Sequence, residues 1–279
     1  MRPLLSPVSL VVLAGLVLVA AFVIAVPDPA PSPMPARSGD QAAAPVVVEL
    51  FTSEGCSDCP PADRLLAQLD QNQPVPGARI IALEQHVDYW DHLGWRDPFS
   101  SAQFSRRQED YVGAFHINSA YTPQMVVDGS AQLVGSDQRA AFAAIAKSSH
   151  TARASIVIEQ AGPAPSDAPS LPLRVRLDSV PGANVAAGSD VILAITEDNL
   201  SSNVTNGENS GSKLSHRAVV RDMRVLGRVS GDGSFAAGAD VKLAKDWKRE
   251  NLHAVAFLQQ RSSRQILGAA EISLAPAVR

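Results

Sequence analysis

The apolar residues of this chain fall into short blocks whose spacing changes along its length. Leu10 to Val26 is a nearly unbroken apolar run, after which Pro, Ala, Ser and Gly dominate as far as Pro45. Val46-Val47-Val48-Glu49-Leu50-Phe51 predicts a strand buried on both faces, because apolar residues follow one another with little polar alternation. Ala62, Leu65, Leu66 and Leu69 recur at helical spacing, with Asp63 in the first turn, where the helix dipole favours an acid. Arg79-Ile80-Ile81-Ala82-Leu83 predicts a second buried strand, which completes a βαβ unit. Gln103 to Phe115 carries Phe104, Gln108, Tyr111, Val112 and Phe115 on one side and predicts a helix. Gln124-Met125-Val126-Val127 and Gln132-Leu133-Val134 flank Asp128-Gly129, a strong hairpin signal, and a helix over Gln138 to Lys147 follows. The order expected over 46–150 is β-α-β-α-β-β-α.

Beyond residue 150 the periodicity changes. After a β-like stretch at Ala154 to Glu159 and a Pro/Ala/Ser segment at Ala161 to Pro172, four runs alternate with Gly, Asn and Asp: 173–177, 191–195, 254–258 and 266–272. They predict a smaller all-β, sandwich-like domain. The expected plan is a signal peptide or N-terminal membrane anchor at 1–26, a flexible tether at 27–45, an α/β domain at 46–150 and a β-rich domain at 151–279. The tether is too poor in large apolar residues to offset the entropy of ordering it.

Composition narrows the classes of function. The chain has 279 residues, 46% of them hydrophobic, and a net charge of -4. Without a long Lys/Arg run it lacks the electrostatic footprint of a nucleic-acid binder. Met1-Arg2 followed by the Leu10 to Val26 run has the layout of an export signal, with Ala25 or Ala42-Ala43-Ala44 as cleavage sites; the run is also just long enough to remain as an anchor. In either case the rest of the chain is expected outside the cytoplasm, periplasmic, secreted or held at the outer side of the inner membrane, where a disulfide is permitted.

Cys56 and Cys59 are the only cysteines, so the pair is a site rather than part of a disulfide framework. Cys56-Ser57-Asp58-Cys59 lies between a predicted buried strand and a helix. That spacing suits dithiol chemistry: one thiolate attacks a substrate disulfide, and the second thiol then reaches the same sulfur and releases the mixed disulfide. Three readings compete: a redox pair, an inert or vestigial disulfide, and part of a metal site.

Tyr121-Thr122-Pro123-Gln124 resembles the strand opening of the thioredoxin superfamily. The resemblance implies a cis Pro123 lying against Cys56, with Thr122 offering backbone groups to an extended substrate. A closer resemblance spans three separated motifs: residues 48–63, His86-Val87-Asp88-Tyr89-Trp90-Asp91 with Gly94-Trp95-Arg96-Asp97-Pro98, and Tyr121-Thr122-Pro123-Gln124. Together they are similar to the exported bacterial domain-of-unknown-function family 1223, which implies a thioredoxin-like fold and leaves the activity open.

Several features modify that picture. Pro60 and Pro61 place the helix start at or after Cys59, with both prolines in its first turn. Glu54 and Asp58 put negative charge near the thiols, with no Lys or Arg closer than Arg64, so the Cys56 pKa is expected near that of free cysteine, favouring a reducing or isomerising role. Glu49, one position displaced from the buried acid of thioredoxins, is a candidate acceptor for the Cys59 proton or a solvent-facing strand-end acid. His86, Asp88, Tyr89, Trp90 and Trp95, with Tyr121, are candidates for a substrate wall or for a capping insertion. No organic cofactor is indicated; His86 with Cys56 and Cys59 offers a copper or zinc alternative. Asn206 to Asn209 and His216 to Arg221 stand out as polar stretches suited to an interdomain or partner contact. The leading function is an exported thiol-disulfide oxidoreductase acting on a protein or small-thiol disulfide. The rival is a binding or assembly protein with a structural disulfide.

Overall fold

The computed structural model describes residues 43–276 except 163–164, 166–167, 181 and 183–187. The expected signal or anchor and most of the tether lie outside the described residues. Over the first half the elements are β1 (Ala44–Thr52), α1 (Pro60–Asn72), β2 (Ala78–His86), α2 (Ala102–Phe115), β3 (Gln124–Val127), β4 (Ala131–Val134) and α3 (Gln138–Ser149). This is the β-α-β-α-β-β-α order expected for 46–150. Strands β1 and β2 are parallel, β3 runs antiparallel to β1, and β4 antiparallel to β3. The Asp128-Gly129 turn has positive φ at both residues (47° and 60°), as its hairpin requires. A side chain at Gly129 would also overlap the Arg264 carbonyl.

The second half contributes β5 (Ser155–Gln160), β6 (Ser170–Ser179), β7 (Ser189–Glu197), β8 (Leu200–Asn203), β9 (Lys213–His216), β10 (Val219–Arg228), β11 (Ala236–Lys242), β12 (Leu252–Gln260) and β13 (Ile266–Ser273). The expected division at residue 150 does not coincide with a sheet boundary. Four of these strands extend the sheet begun by β1 to β4, in the order β13-β12-β7-β10-β2-β1-β3-β4. The join is the pairing of Val219 at the start of β10 with Glu84 near the end of β2. Residues of both halves form one compact unit. The sandwich-like part is a second sheet, β11-β6-β5, packed on β7, β12 and β13 through Ile156, Leu171, Leu173, Leu193, Ala254 and Leu258.

Side-chain alternation assigns the faces. Val46, Val48 and Leu50 of β1, with Ile80 and Ala82 of β2, pack under α1 and α3. Val47 and Phe51, with Ile81 and Leu83, pack under Phe104 and Tyr111 of α2 on the other face, where Ile192 and Phe257 continue the same core. Both faces of β1 and β2 are therefore covered, which explains their unbroken apolar runs.

Candidate functional site

The chain leaves β1 at Thr52 and turns through Ser53-Glu54-Gly55-Cys56-Ser57-Asp58-Cys59 into α1. Cys59 is the N-cap residue, and Pro60 and Pro61 occupy the first two helical positions, as the prolines required. Cys56 and Cys59 are joined by a disulfide with Cα atoms 5.5 Å apart. Both are buried, Cys56 2% exposed and Cys59 wholly covered. The pair stands at the carboxyl end of β1 beside that of β2, where open α/β sheets present a crevice.

The Thr122–Pro123 bond is cis, as the resemblance implied. Gly135 permits the close approach around Pro123: a Cβ there would lie 2.9 Å from Pro123 Cβ and 3.0 Å from Ala62 Cβ in the first turn of α1. Trp90 donates its indole N–H to Thr122 Oγ1 (2.9 Å), and its Cβ would be 3.1 Å from a side chain at Gly55, next to Cys56. Trp95 donates to Glu54 Oε2 (2.8 Å). The expected aromatic segment thus walls the cysteine loop. Asp88 lies toward α2 instead, its Oδ1 accepting from Ser105 Oγ (2.5 Å), while the Tyr89 hydroxyl donates to Gln108 of α2 (3.1 Å) and also meets the Thr122 side chain. The Tyr121 hydroxyl bonds Gln132 (2.5 Å) and its carbonyl accepts from Gln108 (2.7 Å).

Glu49 does not meet the cysteines. Its odd position in β1 turns it to the α2 face, where Arg107 Nε donates to Oε2 (2.6 Å), Arg107 Nη2 to Oε1 (3.0 Å) and Gln85 Nε2 to Oε2 (2.7 Å). The solvent-facing alternative is also overturned, since Glu49 is wholly buried. An acid on the cysteine side is Asp63 of α1, which accepts a hydrogen bond from Thr52 Oγ1 (2.6 Å) and whose N–H donates to the Cys59 carbonyl (3.1 Å). Burial first, then the nearby Glu84 charge, raise its pKa to about 7.

Glu54, expected to repel a thiolate, turns its carboxylate inward. Oε1 lies 3.1 Å from His216 Nε2, and the His216 Nδ1 lies 2.8 Å from Glu84 Oε1. His86 completes the cluster with Nδ1 2.6 Å from Asp97 Oδ2, and Asp97 also accepts the Glu54 N–H (2.8 Å). The two imidazole rings pack edge to face, 4.8 Å apart. Burial opposes charge on His216, but the Glu84 charge and bonds from Glu54 and Glu84 outweigh it and raise its pKa to about 10. Burial likewise opposes the Glu84 charge, yet His216 takes that carboxyl down to about 2. For His86 the burial penalty is overcome chiefly by Asp97, and its pKa rises well above the usual histidine range.

His86 therefore pairs with Asp97 and faces Glu84, while the two sulfurs are bonded to each other; the alternative copper or zinc set of His86, Cys56 and Cys59 is not assembled. His216 was legible only as part of a polar stretch, because its partners lie 132 and 162 positions away in sequence. The other polar stretch reaches the site too. Glu208 Oε2 accepts from Ser57 N–H (3.0 Å) and Oγ (2.7 Å), and Asn209 Nδ2 donates to the Glu54 and Cys56 carbonyls, both at 2.9 Å. The segment between β8 and β9 thus straps the cysteine loop.

This chain belongs to the DUF1223 family of proteins of unknown function, whose profile matches residues 47–259. A search among curated proteins finds no significant match. Among solved structures it is similar to a structural-genomics crystal structure of an Agrobacterium tumefaciens protein, with a TM-score of 0.62 and 25% identity, covering 86% of this chain and 98% of that one. A domain of the outer membrane lipoprotein Omp28 from Porphyromonas gingivalis matches at a TM-score of 0.30 and 13% identity over 46% of this chain and 92% of that one, too weak a likeness to place a fold.

Proposed function

We propose that this protein is an exported thiol-disulfide oxidoreductase whose first half is a thioredoxin-like unit. The observation that carries this reading is the placement of the Cys56–Cys59 disulfide, at the carboxyl end of a central parallel strand and the first turn of the following helix. The strand order β2-β1-β3-β4 and the position of Pro123 beside α1 support the thioredoxin-like layout. In the reduced protein the Cys56 thiolate attacks one sulfur of a protein or small-thiol disulfide; that S–S bond breaks, and the first thiolate leaves and takes a proton. The Cys59 thiol then gives its proton to a base, for which Asp63 replaces Glu49 as the candidate, and attacks the Cys56 sulfur; the Cys56–substrate S–S bond breaks, and the second substrate thiolate leaves and takes a proton. The substrate gains two electrons and the protein returns to its disulfide. A dithiol partner must reduce it again, which fits a reducing or isomerising role. Trp90, Trp95 and Thr122 line the approach.

The test is to express Cys59→Ala in cells and resolve adducts on non-reducing gels. Accumulation of Cys56-linked species that vanish on reduction is expected; a chain that stays free contradicts the reading. The near-complete burial of both cysteines favours a second reading, a structural disulfide in a binding or assembly protein. Its signature is a reduction potential below about -300 mV with slow exchange.

A further inference from the structure

Behind the cysteine loop, His86 and His216 are each held by a carboxylate on one ring nitrogen and turned toward Glu84 with the other. Asp97 holds His86 at Nδ1 (2.6 Å) and Glu54 holds His216 at Nε2 (3.1 Å). The inward atoms are His86 Nε2, 3.5 Å from Glu84 Oε1, and His216 Nδ1, 2.8 Å from the same oxygen. One ligand atom from each of the three residues falls within a span of 4.8 Å. His86 Nε2 makes no hydrogen bond, although its side chain is wholly buried. A buried ring nitrogen without a hydrogen bond is uncommon, and the carboxylate oxygen that faces it, Glu84 Oε1, stands at ion-pair rather than good hydrogen-bond distance.

We infer that Glu84, His86 and His216 bind one divalent transition-metal ion of the zinc class. Two imidazoles and a carboxylate are the donor types that such ions take, and no thiolate is needed. Bonds of about 2.0–2.2 Å in a tetrahedral shell place neighbouring ligand atoms roughly 3.2–3.6 Å apart. The Glu84 to His86 separation of 3.5 Å already satisfies this, the Glu84 to His216 contact of 2.8 Å must open slightly, and the two ring nitrogens, which set the 4.8 Å span, must draw together on the ion. A carboxylate behind each ligating histidine is the usual way a metal site fixes the ring's tautomer and orientation, and here Asp97 and Glu54 hold those positions. Three protein ligands leave a fourth position for water or another small donor. Because Glu54 lies two residues before Cys56 and its carbonyl is gripped by Asn209, the ion would brace the underside of the cysteine loop. The inference is independent of the redox reading.

The test uses the full-length, oxidised protein stripped of metal and titrated with Co2+ alone. One equivalent is expected to bind, giving visible ligand-field bands without the intense near-ultraviolet band of a cobalt–thiolate bond, and raising the Tm. His86→Gln and Glu84→Gln are expected to weaken binding by at least about tenfold, while retaining the far-ultraviolet circular dichroism of the fold. Cys56→Ala combined with Cys59→Ala is expected to leave affinity within about twofold. Absence of a saturable single equivalent in the unsubstituted protein overturns the inference, as does unchanged affinity in His86→Gln. Should both ligand variants fail to fold, the cysteine-free variant still decides: binding that persists without a thiolate band supports the site, and binding lost with the cysteines overturns it.

Discussion

Two buried clusters of charge sit on opposite faces of the same central strands, and they are built from different cations. On the α2 face, Glu49 is clamped by the Arg107 guanidinium, with the Tyr111 hydroxyl bonded to it and Gln259 Nε2 donating to Tyr111 (2.9 Å). On the α1 face, behind the disulfide, Glu54, Glu84 and Asp97 are matched by the imidazoles of His86 and His216. A guanidinium keeps its proton under all ordinary conditions, so the first cluster is a fixed strut. An imidazole exchanges its proton for another, or for a metal, so the second is a cluster whose charge can be rearranged. In the proposed function, chemistry belongs to the face that carries histidine and cysteine, while the arginine face supports the sheet.

The largest effect expected from breaking this comparison is on the fixed side. Arg107→Met leaves Glu49 as an uncompensated buried charge and should cost about 3–5 kcal/mol in urea unfolding. The rate at which a small thiol reduces Cys56–Cys59 in the folded fraction should be unchanged. A variant that is as stable as the parent, or one whose disulfide becomes reactive while folded, would dissolve the distinction between strut and site.

Next in size is a pH effect beside the disulfide. Asp63 has its pKa raised from 3.8 to about 7, by burial first and then by Glu84, against His216, the Thr52 hydroxyl and His86. A raised carboxyl pKa means that the fold prefers the protonated acid. Its contribution is full below about pH 4 and is lost as pH rises through about 7. Asp63→Asn should therefore flatten the stability curve between those limits, by an amount on the order of a few kcal/mol, measured by denaturant unfolding across pH. In the redox reading the same substitution also slows release of the Cys56 adduct above pH 7. A parallel pair of stability curves would remove Asp63 from the account.

The smallest effects concern the strap. Asn209→Ala deletes two hydrogen bonds to the cysteine loop and should speed reduction of the disulfide by dithiothreitol about tenfold, as expected for loss of roughly 1.4 kcal/mol of closure. Glu208→Gln, at an exposed contact, should speed it only about twofold. Reversal of that order would mean that the exposed contact, rather than the part-buried one, closes the loop.

Local patterns in the sequence carried much of the first half. The β-branched run at 46–51, the Asp128-Gly129 turn and the Pro60-Pro61 pair each act through neighbouring residues, and the corresponding strand, hairpin and helix start lie where they indicated. Strand β10 was not visible as a strand, because Val219–Arg228 places Arg221, Asp222, Arg224 and Arg228 among its apolar residues and has only three residues buried. That strand is the one that joins the two halves, so without it the pattern divides at 150. The place of Glu49 is hidden for a related reason: adjacency in a strand says nothing of which face a side chain takes until the register is fixed. The histidine cluster needs three segments, around 54, 84–97 and 216, and no local pattern links them.

The central claim is that Cys56–Cys59 exchanges with substrates rather than simply stapling a loop. Equilibration of the full-length protein against glutathione buffers, with the dithiol trapped by alkylation, gives its reduction potential directly. The account predicts a value above about -300 mV, reached in minutes to hours. A potential well below that figure, with exchange too slow to equilibrate in the folded protein, would contradict it and leave the disulfide as a structural clasp.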